Sequence, residues 1–291
     1  MQLSGSIPAL VTPFVDGRVD LDNFHRLVRR QVEEGSSAVV VAGTTGESPA
    51  LEVDELDALI RAARDATRGR IPVVAGAGSN VTAQAVALTR VAEAAGADAL
   101  LHVTGYYNKP SARQVVEHFR AIDAATKLPI LVYNIPSRTG QELSVETMAA
   151  LAELEHVAGV KDSTGNVSRV TLERRRIAKP FSFLTGDDAT SLGYVAHGGH
   201  GCISVTANVA PALCARMFAL AAAGDFAGAR AVHDRLMPLH AAMFIEPSPG
   251  GAKYAMARLG LCGESMRAPL LPVEAATRAA IDAALAVAGL A

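Results

Sequence analysis

The chain has 291 residues, half of them apolar, and its 27 basic side chains nearly balance 29 acidic ones for a formal net charge of −2. That balance, without a long charged or low-complexity tract, leaves no electrostatic footprint for nucleic acid and describes a well-packed soluble protein. No charged-then-apolar leader is present, and Arg278 and Asp282 interrupt the Ala-rich C-terminal segment, so no signal peptide, no membrane partner and a cytoplasmic location are expected.

Near-continuous apolar runs occur at residues 7–12, 38–43, 71–76, 99–104, 129–133, 158–161, 181–185 and 201–205. This is the pattern of strands buried on both faces, and helix-period segments such as 82–95 and 114–125 lie between most of them. Strands alternating with helices in this way predict an α/β fold, a (β/α)8 TIM barrel, which takes about 250 residues as one domain. The helical segments 211–223, 226–244, 252–259 and 275–287 exceed what an eighth unit needs and predict an appended C-terminal helical region. The expected organisation is a barrel with the catalytic site over residues 1–224 and the helical region over 225–291.

Barrels carry their chemistry at the C-terminal ends of the strands. After the second strand comes Gly43-Thr44-Thr45-Gly46-Glu47, whose glycines let the backbone curl and point N–H groups at a small anion such as a carboxylate. The fourth strand leads into Thr104-Gly105-Tyr106-Tyr107-Asn108-Lys109-Pro110, and the fifth ends in Tyr133, with Arg138 following. The sixth delivers Lys161 at the end of a short apolar run, where charging an amine is costly and a neutral amine can attack a carbonyl carbon. Alone, such a lysine more often snorkels and such a tyrosine more often packs. On adjacent strands they point to Schiff-base chemistry, with Tyr133 carrying protons.

The seventh strand leads into Gly186-Asp187-Asp188, at a place where barrels usually hold phosphate. The carboxylates argue against pyridoxal phosphate on Lys161 and against a sugar phosphate, so no cofactor is expected. The anion at Thr44 and Thr45 is then read as the carboxylate of a keto acid. Gly76-Ala77-Gly78 lacks the third glycine of a dinucleotide fingerprint, Val81 standing there, and reads as a tight turn. His197-Gly198-Gly199-His200 has no third ligand nearby, and Cys202, Cys214 and Cys262 have no ligand spacing, so no metal is expected.

Gly43-Thr44-Thr45-Gly46-Glu47, the run from Tyr133 through Arg138 to Gly140, Gly159-Val160-Lys161, Gly186-Asp187 and the run from Gly201 through Ile203 to Asn208 together resemble one family. It is the pyruvate-dependent class I aldolases related to dihydrodipicolinate synthase (4-hydroxy-tetrahydrodipicolinate synthase) and N-acetylneuraminate lyase, and the resemblance runs from about Ser4 to the C-terminus. It implies Lys161 as the Schiff-base lysine and Tyr133 as proton donor and acceptor. Thr44 and Tyr107 would complete a relay, with Tyr107 supplied by a neighbouring subunit. The backbone at Thr45 and Ile203 would hold pyruvate, with Gly186 in the same substrate site.

Arg138 implies the synthase branch, where an arginine holds the carboxylate of L-aspartate 4-semialdehyde. The expected reaction is condensation of that aldehyde with pyruvate to 4-hydroxy-tetrahydrodipicolinate, in lysine and diaminopimelate biosynthesis, by a homo-oligomer built as a dimer of dimers. Ser248, Gly250-Gly251, Gly105 and Asp162-Ser163 depart from the synthase pattern. They keep open an aldolase or dehydratase acting on N-acetylneuraminate or a 2-keto-3-deoxy sugar acid. A keto-acid-binding paralogue without turnover would need no proton relay. Synthases inhibited by lysine usually carry histidine or glutamate at the position of Leu56 and often glutamate at that of Gln84, so weak or absent inhibition by lysine is expected here.

Overall fold

The computed structural model describes residues 1–290. Eight parallel strands succeed one another around a barrel: β1 (Gly5–Pro8), β2 (Val39–Val41), β3 (Val73–Gly76), β4 (Ala99–Val103), β5 (Ile130–Asn134), β6 (Val157–Asp162), β7 (Ser182–Thr185) and β8 (Gly201–Ser204). The ladder returns on itself, since β1 pairs with β8 from Gly5↔Gly201 to Pro8↔Ser204, and Ala9 forms a single bridge to Val40. The strands stand where the apolar runs predict them, mostly with tighter limits, although β6 extends one residue beyond the expected 158–161 at each end and β5 reaches Asn134. β1 covers Gly5–Pro8 rather than 7–12 because Pro8 has no N–H to extend the ladder and only that one bridge follows.

The continuous apolar character has a two-sided cause. Alternate residues Ile7, Val40, Val74, Leu101, Leu131, Leu184 and Ile203 fill the barrel interior, while their neighbours Val39, Val41, Val73, Leu100, Ile130 and Val132 pack against the helices. A hairpin of Phe14–Val15 with Arg18–Val19 precedes the first helix and escapes the sequence pattern, because two residues per strand give no period to read.

Helix Pro211–Ala222 packs on β1 and opens with a proline whose missing N–H costs nothing at that position. Helices Phe226–Ala242, Gly250–Arg258 and Ala275–Ala288 form the appended region. Its core residues Leu236, Met243, Ala252, Ile281 and Leu285 merge with Val11, Cys202 and Val205 of the barrel side. Gly250–Arg258 starts two residues before the expected 252, because its glycines permit close packing: a Cβ on Gly251 would lie 3.1 Å from Met243 Cα. Among the described residues no helix is long and apolar enough to cross a membrane.

Candidate functional site

Parallel pairing of β5 with β6 sets Tyr133 opposite Lys161. Lys161 Nζ lies 4.1 Å from the centroid of the Tyr133 ring, and the two residues are only 5% and 6% exposed. The next residues on the same strands, Asn134 and Asp162, also pair, and Asn134 Nδ2 donates to Asp162 Oδ2 at 2.9 Å. Arg169 Nε donates to that same oxygen at 3.0 Å, and its other nitrogens reach Glu142 Oε1 at 2.6 Å and Glu173 Oε1 at 2.8 Å. One guanidinium thus faces three carboxylates. Burial pushes the Glu173 carboxyl up to about 7 against the pull of Arg169, and burial together with the Glu173 charge pushes the Tyr194 phenol well up. This clamp fixes the two strand ends that carry the lysine and the tyrosine.

Gly186 follows β7, and its lack of a side chain is what admits the lysine. A Cβ there would stand 2.5 Å from Lys161 Cε and 2.1 Å from Ser163 Oγ. Ser163, to which sequence reasoning gave no role, keeps its hydroxyl oxygen buried beside Lys161 without a protein hydrogen-bond partner. Ile203 is fully buried beneath, in the interior cluster that contains Tyr133 and Leu184.

The turn after β2 is bracketed by two non-glycine residues in the left-handed region, Ala42 at φ 53° and Glu47 at φ 58°. Inside it, Gly43 O accepts from Gly46 N at 3.1 Å and from Ser48 N at 3.2 Å, while Thr12 Oγ1 donates to Gly46 O at 2.7 Å. Thr44 is half-buried and Thr45 buried. Thr44, Tyr133 and Arg138 share a cavity of about 410 Å³, which Ser48, Leu56 and Tyr106 also line. Arg138 projects from the short helix Pro136–Thr139 and is exposed.

The remaining expected residues are placed differently. Lys161, Gly186 and Ile203 belong to the floor behind Tyr133 rather than to the cavity wall, and Thr45 is turned inward. Tyr107 is 92% exposed at φ 66° and does not reach the cavity of its own chain, where Tyr106 stands instead. Asp187 and Asp188, read as a repulsive pair, are engaged in the loops. Asp188 Oδ2 accepts from the N–H groups of Val205 at 2.9 Å and Thr206 at 3.2 Å, its Oδ1 accepts from the Ser204 hydroxyl, and Asp187 Oδ1 accepts from Ala189 N at 3.0 Å.

A buried amine beside a phenol, with an anion-sized turn and a guanidinium across one cavity, can form an imine with a keto acid and hold a second carboxylate. The Dihydrodipicolinate synthetase family matches the chain over residues 2–288. The 4-hydroxy-tetrahydrodipicolinate synthase of Rhizobium meliloti is 53% identical over 287 residues, covering 98% of each chain. Among solved structures, the chloride-inhibited dihydrodipicolinate synthase of Acinetobacter baumannii complexed with pyruvate is 38% identical with TM-score 0.97, covering 100% of both chains. The enzyme of Cyanidioschyzon merolae with lysine bound is 37% identical with TM-score 0.95, covering 99% of both.

Proposed function

The chain belongs to the dihydrodipicolinate synthetase family, and from that premise we propose that it condenses pyruvate with L-aspartate 4-semialdehyde to 4-hydroxy-tetrahydrodipicolinate through a Schiff base on Lys161. The observation that carries the reading is the Lys161–Tyr133 pair, with Nζ 4.1 Å from the ring centroid on adjacent strand ends. The amine adds to the pyruvate carbonyl carbon and water leaves, giving a protonated imine. Loss of a methyl proton turns this into an enamine whose carbon attacks the aldehyde. The amino group of the second substrate then attacks the imine carbon, closing the ring and freeing Lys161.

In this reading Tyr133 carries protons in these steps, supported by its sharing a cavity with Thr44; Tyr107 of a neighbouring chain would complete the relay. The turn at Thr45, with Ile203 and Gly186 on the floor, holds pyruvate. Arg138 in the same cavity takes the carboxylate of the semialdehyde. The almost fully exposed Tyr107 ring, held on a left-handed backbone, supports a contact with a second chain, and the proposed assembly is a homo-oligomer, a dimer of dimers, in the cytoplasm.

The test has two arms. Borohydride added with pyruvate should leave one reduced adduct per chain, mapped by peptide mass to Lys161. Steady-state kcat/KM should favour pyruvate with the semialdehyde over N-acetylneuraminate and 2-keto-3-deoxy sugar acids. An adduct on Lys109 or none at all overturns the first arm, and preference for a sugar acid overturns the second.

A further inference from the structure

Lys253 is a fully buried cation on helix Gly250–Arg258 and is not among the residues that line the cavity. Its Nζ donates to Glu47 Oε1 at 2.6 Å and to Ser265 O at 2.6 Å, and it lies 4.5 Å from the Phe14 ring centroid. The other carboxylate oxygen, Glu47 Oε2, accepts the Arg267 backbone N–H at 2.9 Å. The Arg267 guanidinium covers the same Phe14 ring at 4.6 Å and donates to Ala50 O and Gly17 O at 2.6 and 2.9 Å. Both oxygens of Glu47 are therefore bound by the C-terminal region.

Burying an ion pair contributes little to stability compared with an apolar pair of the same shape, because both charges lose their water. What such a pair does supply is one defined geometry. Here that geometry is a strained one, since Glu47 closes the turn Gly43–Gly46 in a left-handed conformation and Ala42 opens it in another. Nothing within the turn itself holds these angles except short backbone contacts, whereas Lys253, Arg267 and, through Gly46 O, Thr12 grip it from outside.

We propose that Glu47 and Lys253 are positioning residues that fix the Thr44–Thr45 turn in its pyruvate-binding shape. The inference rests on the assignment of that turn to pyruvate above. The C-terminal helices thereby set the affinity for the first substrate without touching it.

The measurement is the pyruvate KM, with the rate of borohydride-trapped imine at low pyruvate, in wild type and in the double variant Glu47→Gln/Lys253→Met. The double variant removes both charges and so avoids leaving one of them buried alone. The expected result is a pyruvate KM raised about tenfold or more, with kcat at saturating pyruvate and KM for the semialdehyde within about twofold of wild type. A wild-type pyruvate KM in a folded double variant overturns the proposal. So does an equal loss in kcat and both KM values that tracks a lower Tm, the mark of a merely structural pair. Should the double variant not fold, Thr12→Val decides: loss of its bond to Gly46 O should raise the pyruvate KM about threefold in the same selective way, and an unchanged KM overturns the proposal. Failure of wild type to form any imine with pyruvate would instead remove the functional reading on which the proposal stands, and the proposal with it.

Discussion

Lys161 and Tyr133 sit on strand ends with about one-twentieth of their surface exposed, whereas Arg138 rides on a four-residue helix and Tyr107 is 92% exposed on a loop. The floor residues are bonded into the sheet on both sides, β6 pairing with β5 and β7, and the ends of β5 and β6 are tied again through Asn134, Asp162 and Arg169. The rim residues lie outside the sheet, Arg138 held by a single turn through its N–H to Ile135 O at 3.0 Å and Tyr107 on a left-handed backbone. Proton and imine chemistry needs atoms placed to a fraction of an ångström, and the sheet supplies that. Choice of a second substrate, the role proposed for Arg138, needs a charged group on an adjustable arm, and a long exposed side chain supplies that.

The floor should be the harder to perturb without total loss. Gly186→Ala would put a methyl group 2.5 Å from Lys161 Cε, so it is expected to abolish the borohydride-trapped pyruvate adduct while leaving a cooperative melt. A wild-type adduct in that variant would mean that the lysine has freedom the packing denies it. The rim should fail selectively. Arg138→Ala should lose about 2–4 kcal/mol in kcat/KM for the semialdehyde while the pyruvate imine persists, and unchanged semialdehyde kinetics would move the carboxylate elsewhere.

The clamp under the floor makes a pH-dependent prediction. Glu173 titrates near 4.5 when unfolded and is raised to about 7 in the folded protein, so between those values the folded state holds a proton that the unfolded state has released. Stability must therefore fall as pH rises from about 4.5 through about 7, by up to about 3 kcal/mol for the full shift. Glu173→Gln should match wild type near pH 4.5 and exceed it at pH 8, as read from denaturant midpoints. Parallel pH profiles for the two proteins would contradict the assignment.

Two smaller effects sharpen the rim. Tyr107→Phe and Lys161→Ala chains, refolded together, should recover up to roughly one active site in four, because half the dimers are mixed and half their sites combine an intact lysine with the partner's tyrosine. Activity that stays at single-mutant level after subunit exchange is confirmed by mass would place Tyr107 outside the relay. Free lysine should inhibit weakly or not at all. Leu56 presents an apolar wall to the cavity, and the Gln84 Oε1 is already bonded by Ser79 Oγ at 2.7 Å. A sub-millimolar inhibition constant would reverse that expectation.

The division between floor and rim also governs what could be read in the sequence. A strand packed on both faces writes a continuous apolar run, so all eight strands, and with them the placement of Lys161 and Tyr133 at the mouth, were legible. Pairing across 206 residues leaves no local trace, and nothing around Lys253 marks it as the partner of Glu47. Asp187 and Asp188 were legible as charges but not as loop ties, because a carboxylate's partners depend on where the next strand begins. Ser163 was legible only as a departure from the synthase pattern, without a role, for a similar reason. A hydroxyl has no pattern, and its place beside Lys161 shows only where Gly186, after β7, meets both side chains.

The grip on Glu47 has a bearing on how the molecule is made. Its partners Lys253 and Arg267 lie 206 and 220 positions further along, so during synthesis the turn after β2 is translated early and stays without them until nearly the whole polypeptide has emerged. The barrel itself cannot pair β1 with β8 before Gly201 is available. A prematurely terminated chain that has already sealed its barrel would therefore carry the reactive amine on a finished floor under an unfinished anion cradle. If the Glu47–Lys253 pair shapes that turn as proposed, completion of the last helices is what turns the assembled scaffold into a competent vessel.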